Sequence, residues 1–203
     1  SGIVGLICAA LGVARDDDDK VARLGVSLRM GVRVEREGVV SNDYHTAGGG
    51  RWPGRDKYGV VKADGAAMDT VVSNRYYLAD ADFLVGLEGE RGVLEGIAAA
   101  LGDPHWPLYL GRKSFVPSRR VLESEALLED SLESALRSHP WRVPKRGEPP
   151  SRLRLVLECS AEEGAARMDQ PLSFQSNARR HGSRYVRISW VGTATLPKTE
   201  ALP

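Results

Sequence analysis

Residues 28–40 read Leu-Arg-Met-Gly-Val-Arg-Val-Glu-Arg-Glu-Gly-Val-Val. Leu28, Met30, Val32 and Val34 alternate strictly with Arg29, Gly31, Arg33 and Glu35, the period of a half-buried β-strand with an apolar inner face. The stretch from Gly38 to Val40 reads as its return partner, after which the apolar signal stops for some thirty residues. The spacing predicts a long loop there, and loops of that length in compact domains are usually functional or disordered. Upstream, Ile3, Leu6, Ile7, Ala10 and Leu11 fall on one helical face between an N-cap at Ser1 and a stop at Gly12. That segment resembles the apolar region of a signal peptide, but no Lys or Arg precedes it, and it is far short of the roughly 20 residues that cross a bilayer. The acids Asp16 to Asp19 suit the start of a further short helix.

Downstream, β propensity resumes at residues 70–77, and a second alternation through Ala81, Phe83, Val85 and Leu87 predicts an adjacent strand. Val93, Leu94, Ile97, Ala98 and Leu101 have helical spacing, and Gly102 and Pro104 terminate it. Residues 123–136 read as an acidic helix, 140–150 as a Pro-rich connector, and 152–159 and 184–191 as strands packed on the first sheet. The order helix, strand, loop, two strands, helix needs one leading strand to become a β-α-β-β-α-β, ferredoxin-like unit. The class expected is therefore α+β.

The chain has 203 residues, 42% of them hydrophobic and 27% charged, which fits a globular protein with a sizeable core. Its 28 Lys and Arg against 27 Asp and Glu leave a net charge of +1, so any site for a polyanion must be local. Cys8 and Cys159, far apart and without a C-x-x-C pattern, argue against a disulfide scaffold or structural zinc and for a reducing, cytoplasmic setting. Templates for metalloprotease, serine hydrolase, Walker A and dinucleotide binding all fail, and His45, His105, His139 and His181 lack ligand spacing. No metal, cofactor or membrane contact is expected.

Three basic clusters stand out. The glycine-rich stretch 44–62 sets Arg51, Arg55, Lys57 and Lys62 against Asp56; the second is Arg112, Lys113, Arg119 and Arg120, and the third Arg179, Arg180, Arg184 and Arg187. Glycine admits a phosphate chain close to the backbone, guanidinium and ammonium groups neutralise it, and Trp52, Tyr58, Tyr76 and Tyr77 offer flat faces to unstacked bases. That combination suits single-stranded RNA.

Five motifs then fall in register, Ser1-Gly-Ile-Val-Gly-Leu, Arg15-Asp-Asp17, Asp43-Tyr-His-Thr46, Arg75-Tyr-Tyr-Leu-Ala-Asp-Ala81 and Leu108-Tyr-Leu-Gly-Arg-Lys-Ser114, and Asp169-Gln-Pro-Leu-Ser-Phe174 with the basic strand at Arg179 to Arg187 follows towards the C-terminal end. Together they resemble the CasD family, the Cas-five subunit of the type I-E CRISPR surveillance complex Cascade. The resemblance implies an RNA-recognition-motif-like, ferredoxin-type core over residues 1–120, whose glycine-rich insertion at about 44–77 forms a thumb. A β-rich extension over 121–203 would pack on that core. It implies a non-catalytic role, capping the 5′ handle of the CRISPR RNA. Tyr44, His45, Arg51, Trp52, Arg55, Lys57, Lys62, Asn74 and Tyr76 would belong to the thumb and Arg75 would wedge among handle nucleotides. Tyr109, Arg112, Lys113 and Ser114 would line the handle groove. Relatives carry a further N-terminal segment with the first strand, which this chain is expected to lack. The partners implied are the CRISPR RNA, the backbone and large subunits and, through the complex, target DNA. Two alternatives remain: a metal-independent endoribonuclease using Tyr44 and His45 as acid and base, and a scaffold that makes no RNA contact.

Overall fold

The computed structural model describes residues 1–48, 50–52, 55–58, 70–143 and 148–199, giving the backbone alone at 50–52 and 55–58. In chain order the elements are α1 (Gly2–Leu11), α2 (Asp18–Ser27), β1 (Arg29–Arg36), β2 (Val39–Ala47), β3 (Gly50–Trp52), β4 (Arg55–Tyr58), β5 (Val71–Ala79), β6 (Asp82–Glu88) and α3 (Arg91–Gly102). They continue through α4 (Leu132–Ser138), β7 (Trp141–Arg142), β8 (Arg152–Cys159), β9 (Ala165–Ser173), β10 (Arg180–Gly192) and β11 (Lys198–Thr199). The chain divides into two units, residues 36–82 and the remainder.

In the larger unit a five-stranded sheet has the order β6-β1-β8-β10-β9, and the pairs β1–β8, β8–β10 and β10–β9 are antiparallel. This is a mixed α+β architecture. Strand order runs across residue 120: β8 from the second half of the chain lies beside β1 from the first. α1 and α2 start and stop where the sequence directs. Gly12 closes α1 in the left-handed region (φ 70°), where an added Cβ would sit 2.9 Å from the His105 ring. Asp17 caps α2 by accepting the Lys20 amide hydrogen at 3.1 Å. Ile7, Leu28 and Ile97 form one core cluster, with Leu24, Leu87, Val93 and Leu94 around them. A second cluster gathers Leu132, Leu136, Trp141, Leu153, Leu155 and Leu157. Burying Leu155 or Leu157 stabilises the fold by roughly 1.5–3 kcal/mol each.

β1 departs from the expected polarity. Its period is two, yet the more deeply buried face is Gly31, Arg33 and Glu35, while Met30 and Val32 are half-buried. The Arg33 guanidinium, fully buried, donates to Glu35 at 2.5 Å and to the Leu136, His139 and Pro140 carbonyls at 2.8, 2.7 and 3.2 Å. It thereby satisfies carbonyls at the end of α4 that have no intrahelical partner. Gly31 makes room for the same helix, since a Cβ there would lie 2.6 Å from Leu136 Cδ1.

Four other expectations are corrected. Gly38 to Val40 does not return along β1: Val39 and Val40 begin β2, which pairs with β5. The strands near 70–77 and 81–87 are not neighbours in a sheet, because β5 pairs with β2 while β6 joins β1. The acidic helix is shorter than 123–136 and is confined to α4, capped by Ser131, whose Oγ accepts the Ser134 amide hydrogen at 3.3 Å. The loop beginning at residue 44 is in its first part a strand, as β2 continues to Ala47.

The smaller unit is a two-stranded antiparallel ribbon, β2 with β5, in continuous register from Val39↔Ala79 to Ala47↔Val71. The short hairpin β3–β4 lies between these strands in sequence, with Trp52 paired to Arg55. Gly38 (φ 75°) enters the ribbon where a Cβ would lie 2.7 Å from the Ala79 carbonyl oxygen, so only glycine fits. Arg36 and Asp80 form an ion pair at 2.8 Å.

Candidate nucleic-acid interface

Because side chains alternate along a strand, the β2–β5 register sorts the candidate residues onto two faces. One face carries the pairs Val40–Leu78, Asn42–Tyr76, Tyr44–Asn74 and Thr46–Val72. Tyr44 is 66% exposed and Tyr76 70%, and the Asn42 amide donates to Asn74 Oδ1 at 3.1 Å. These eight side chains are uncharged. The other face carries Ser41–Tyr77, Asp43–Arg75 and His45–Ser73, all half-buried. There Arg75 Nε donates to Ser73 Oγ at 3.0 Å, and Ser73 Oγ donates to the His45 carbonyl oxygen at 3.5 Å. The ribbon thus places Tyr44, Asn74 and Tyr76 together, and separately His45 with Arg75. Asn42 and Thr46, overlooked in the sequence, share the first face; their signal was the period of two continuing past Val40.

Arg51, Trp52, Arg55 and Lys57 lie on β3 and β4, where only the backbone is described, and Lys62 lies outside the described residues. The other expected cluster sits in the larger unit. Leu110 N–H donates to the Phe115 carbonyl at 2.7 Å and Phe115 N–H to the Arg112 carbonyl at 2.9 Å, closing a tight turn. Gly111 enters it in the left-handed region (φ 84°). Arg112 stands 5.3 Å from the Phe115 ring centroid, a cation–π contact. Lys113 and Ser114 are exposed and Tyr109 is half-buried.

The third basic cluster does not form one positive face. Arg180 pairs with Asp18 at 3.4 Å, Arg184 makes a two-pronged contact with Asp169 at 2.5 and 2.8 Å, and Arg187 pairs with Glu133. Arg184 and Arg187, three residues apart on β10, point to opposite sides of the sheet. Hydrogen bonding from Arg184 holds the Asp169 carboxyl below its ordinary range, and Arg137, then Arg187, do the same for Glu133. Acids already meet three of the four arginines. Among the described residues no group of three or more His, Cys, Asp or Glu is placed to hold a metal ion, and no helix is long and apolar enough to cross a membrane.

The chain is an α+β protein with a separate β-ribbon, aromatic and amide-bearing on one face and with a guanidinium on the other. Its family is defined more sharply: the family described as "CRISPR-associated protein (Cas_Cas5)" matches residues 1–187, and the chain belongs to that family. It is similar to the CRISPR system Cascade subunit CasD of Escherichia coli (strain K12), 33% identical over 125 residues, which are 56% of this chain and 52% of the relative. The match thus spans about half the length of that curated relative. Among solved structures, a chain of a "CRISPR RNA-guided surveillance complex" superposes with a TM-score of 0.75 at 34% identity, over 97% of this chain and 80% of the other. A "Crystal structure of Cas protein" superposes with a TM-score of 0.69 at 39% identity, over 98% and 83%.

Proposed function

We propose that this chain is a non-catalytic subunit of a type I-E CRISPR Cascade complex, and that it holds the 5′ handle of the CRISPR RNA. The observation carrying this reading is the two-faced ribbon. Arg75 sits on one face beside His45, and Tyr44, Asn74 and Tyr76 line the other; a guanidinium can stack on a splayed base while donating to phosphate. The likeness over nearly the full chain to a subunit of an RNA-guided surveillance complex supports it. In this reading the ribbon and the β3–β4 hairpin, with Arg51, Trp52, Arg55, Lys57 and Lys62, form the thumb. Tyr109, Arg112, Lys113 and Ser114 line the handle groove, and the larger unit supplies a ferredoxin-like core. The partners are the CRISPR RNA, the backbone and large subunits and, through them, target DNA, all in the cytoplasm.

The endoribonuclease alternative loses support from the same register. Tyr44 and His45 are consecutive in β2, so their side chains project to opposite faces. An acid and a base acting on one phosphodiester must both reach it.

The test is to purify the complex with its RNA for wild type, Arg75→Ala and His45→Ala and to sequence the RNA 5′ ends. Loss of handle protection in Arg75→Ala, with correct ends in His45→Ala, is the expected result. Uncut repeats in His45→Ala would make this chain the nuclease, and unchanged RNA retention after charge reversal at both Arg75 and Arg112 would make it a scaffold. RNA binding should also weaken with salt, by a log–log slope of about 0.7 per phosphate neutralised.

A further inference from the structure

The two faces of the five-stranded sheet are covered unequally. α4 packs on one of them, against Gly31 of β1 and Gly86 of β6, where an added Cβ would lie 2.6 Å from Leu136 and 2.7 Å from Leu132. Leu153, Leu155 and Leu157 of β8 fill that same face. Alternate residues of each strand point the other way. On that second face Leu87 packs with Ile7 of α1 and Ile97 of α3, and Val186 is buried. Towards the other end of the strands the cover stops. The cross-strand rows Val32–Val156–Ile188 and Val34–Arg154–Trp190, with Phe83 and Val85 on the neighbouring β6, leave large apolar groups in the open: Ile188 is 52% exposed, Trp190 45% and Phe83 44%. Val32, Val85 and Val156 between them are half-buried. An apolar patch of this kind on a soluble domain marks an interaction surface.

Backbone and charge narrow what can cover it. The outward carbonyls of β10 beside the patch are taken: Arg137 donates to that of Trp190 at 2.9 Å, and the Thr195 N–H and Oγ donate to that of Gly192 at 3.3 and 2.8 Å. An occupant therefore cannot join as a further strand and must satisfy its own backbone groups, as a helix does. The border of the patch at the start of β8 is positive. Arg152 stands 4.4 Å over the Trp190 ring, exposed, and among the described residues it meets no acid. Arg154 is already engaged, so the charge on offer is that of Arg152. The acid on the same face of β8, Glu158, is six residues further along the strand, roughly 20 Å at about 3.3 Å per residue, and accepts the Met30 amide hydrogen at 2.9 Å.

We propose that this half of the sheet face receives an amphipathic helix of a partner polypeptide. Apolar side chains at i, i+3 or i+4 and i+7 of that helix cover Phe83, Val156, Ile188 and Trp190, and a carboxylate on the border of its apolar stripe meets Arg152. The apolar contacts and the ion pair lie on one face of the sheet, as they do on one side of such a helix. The patch selects polypeptide over nucleic acid, because Val32, Val156 and Ile188 have no π-face for a base and one side of the Trp190 ring is taken by Arg152. The inference rests on the preceding reading in one respect only: that the chain works beside other proteins.

The experiment uses the assembled complex with a benzophenone amino acid in place of Phe83 and maps the crosslinked peptide. The expected product is a segment of another protein with apolar residues at helical spacing and an Asp or Glu bordering them. In Ile188→Asp and in Arg152→Glu the yield of that product should fall at least tenfold, while Met168→Asp, exposed on β9, should leave it unchanged. The isolated variants should unfold at the wild-type urea midpoint. Exchanging the partner's bordering acid for Lys should restore the yield in Arg152→Glu, which a merely misfolded variant could not show. A crosslink only to nucleic acid, no crosslink, a captured segment without that pattern, or an unchanged yield in Ile188→Asp overturns the proposal and leaves the Cascade reading standing. A wild-type chain that assembles with no protein overturns both.

Discussion

Replacing Arg33 with Met keeps the length and apolar stem of the side chain and removes its five donors, which tests how much of the larger unit depends on that one guanidinium. Arg33 is fully buried and its four recorded acceptors are Glu35 Oε1 and the Leu136, His139 and Pro140 carbonyls. Leaving the buried Glu35 carboxylate without this partner costs about 3–5 kcal/mol. The carbonyls add less: His139 and Pro140 are accessible enough to take water, while Leu136 is 2% exposed and its orphaned oxygen costs about 1–3 kcal/mol. The losses overlap, so the total expected is about 4 kcal/mol, a large share of the 5–15 kcal/mol that stabilises an ordinary domain. Glu35→Gln alone should cost only about 1–2 kcal/mol, because Arg33 keeps its three carbonyls. The double variant Arg33→Met/Glu35→Gln should recover about half of the Arg33→Met loss, since no buried charge is left alone. Equilibrium urea unfolding at pH 7, with unchanged slopes, measures all three. A loss below about 1 kcal/mol in Arg33→Met, or a double variant no more stable than it, would refute the account of β1 as a strand anchored through its charged face.

Gly31→Ala should destabilise by about 1–3 kcal/mol in the same assay, because the new Cβ meets Leu136 Cδ1 at 2.6 Å and Leu157 Cδ2 at 3.0 Å in a packed core. His139 is held below its ordinary range, chiefly by burial and then by the Arg33 charge. As pH falls below about 6.5 the unfolded chain takes up that proton first, so stability should drop from pH 7 towards pH 5. His139→Gln should flatten the change, read from urea midpoints at the two pH values. Burial pushes the Cys8 thiol up to about 11, so at pH 8 it is almost wholly protonated. Peptide mapping should find Cys8 alkylated by iodoacetamide only in denaturant; rapid labelling of the native chain would contradict its burial.

Local signals were legible in the sequence wherever the deciding partner was close along the chain. Gly12, the acids at Asp16 to Asp19 and the period of Arg152–Cys159 all placed their elements, because caps and alternation are set within a few residues. Pairing was not legible. Whether Val39 and Val40 lie against β1 or against β5 depends on contacts with residues about forty positions away, and both choices leave the same alternation. The polarity of β1 failed for a related reason. Apolar-in, charge-out is the sound expectation for a strand, and only α4, a hundred residues downstream, supplies the carbonyls that make Arg33 an inward residue.

The candidate site divides along the same line. Counting basic residues gave three equal clusters, but charge at a surface depends on what each cation already faces. Arg180, Arg184 and Arg187 are met by Asp18, Asp169 and Glu133, which lie on three different elements or turns and come together only in the fold. In the turn at 111–115 Lys113 and Ser114 are exposed, and the Arg112 guanidinium lies 5.3 Å from the Phe115 ring centroid. A chain with a net charge of +1 cannot hold RNA by its overall field. In the proposed reading it does so with a few local cations and with flat groups that stack. The acids that answer the β10 arginines leave that strand to the sheet, and in the proposed reading the RNA contacts fall to the ribbon and the 108–115 turn.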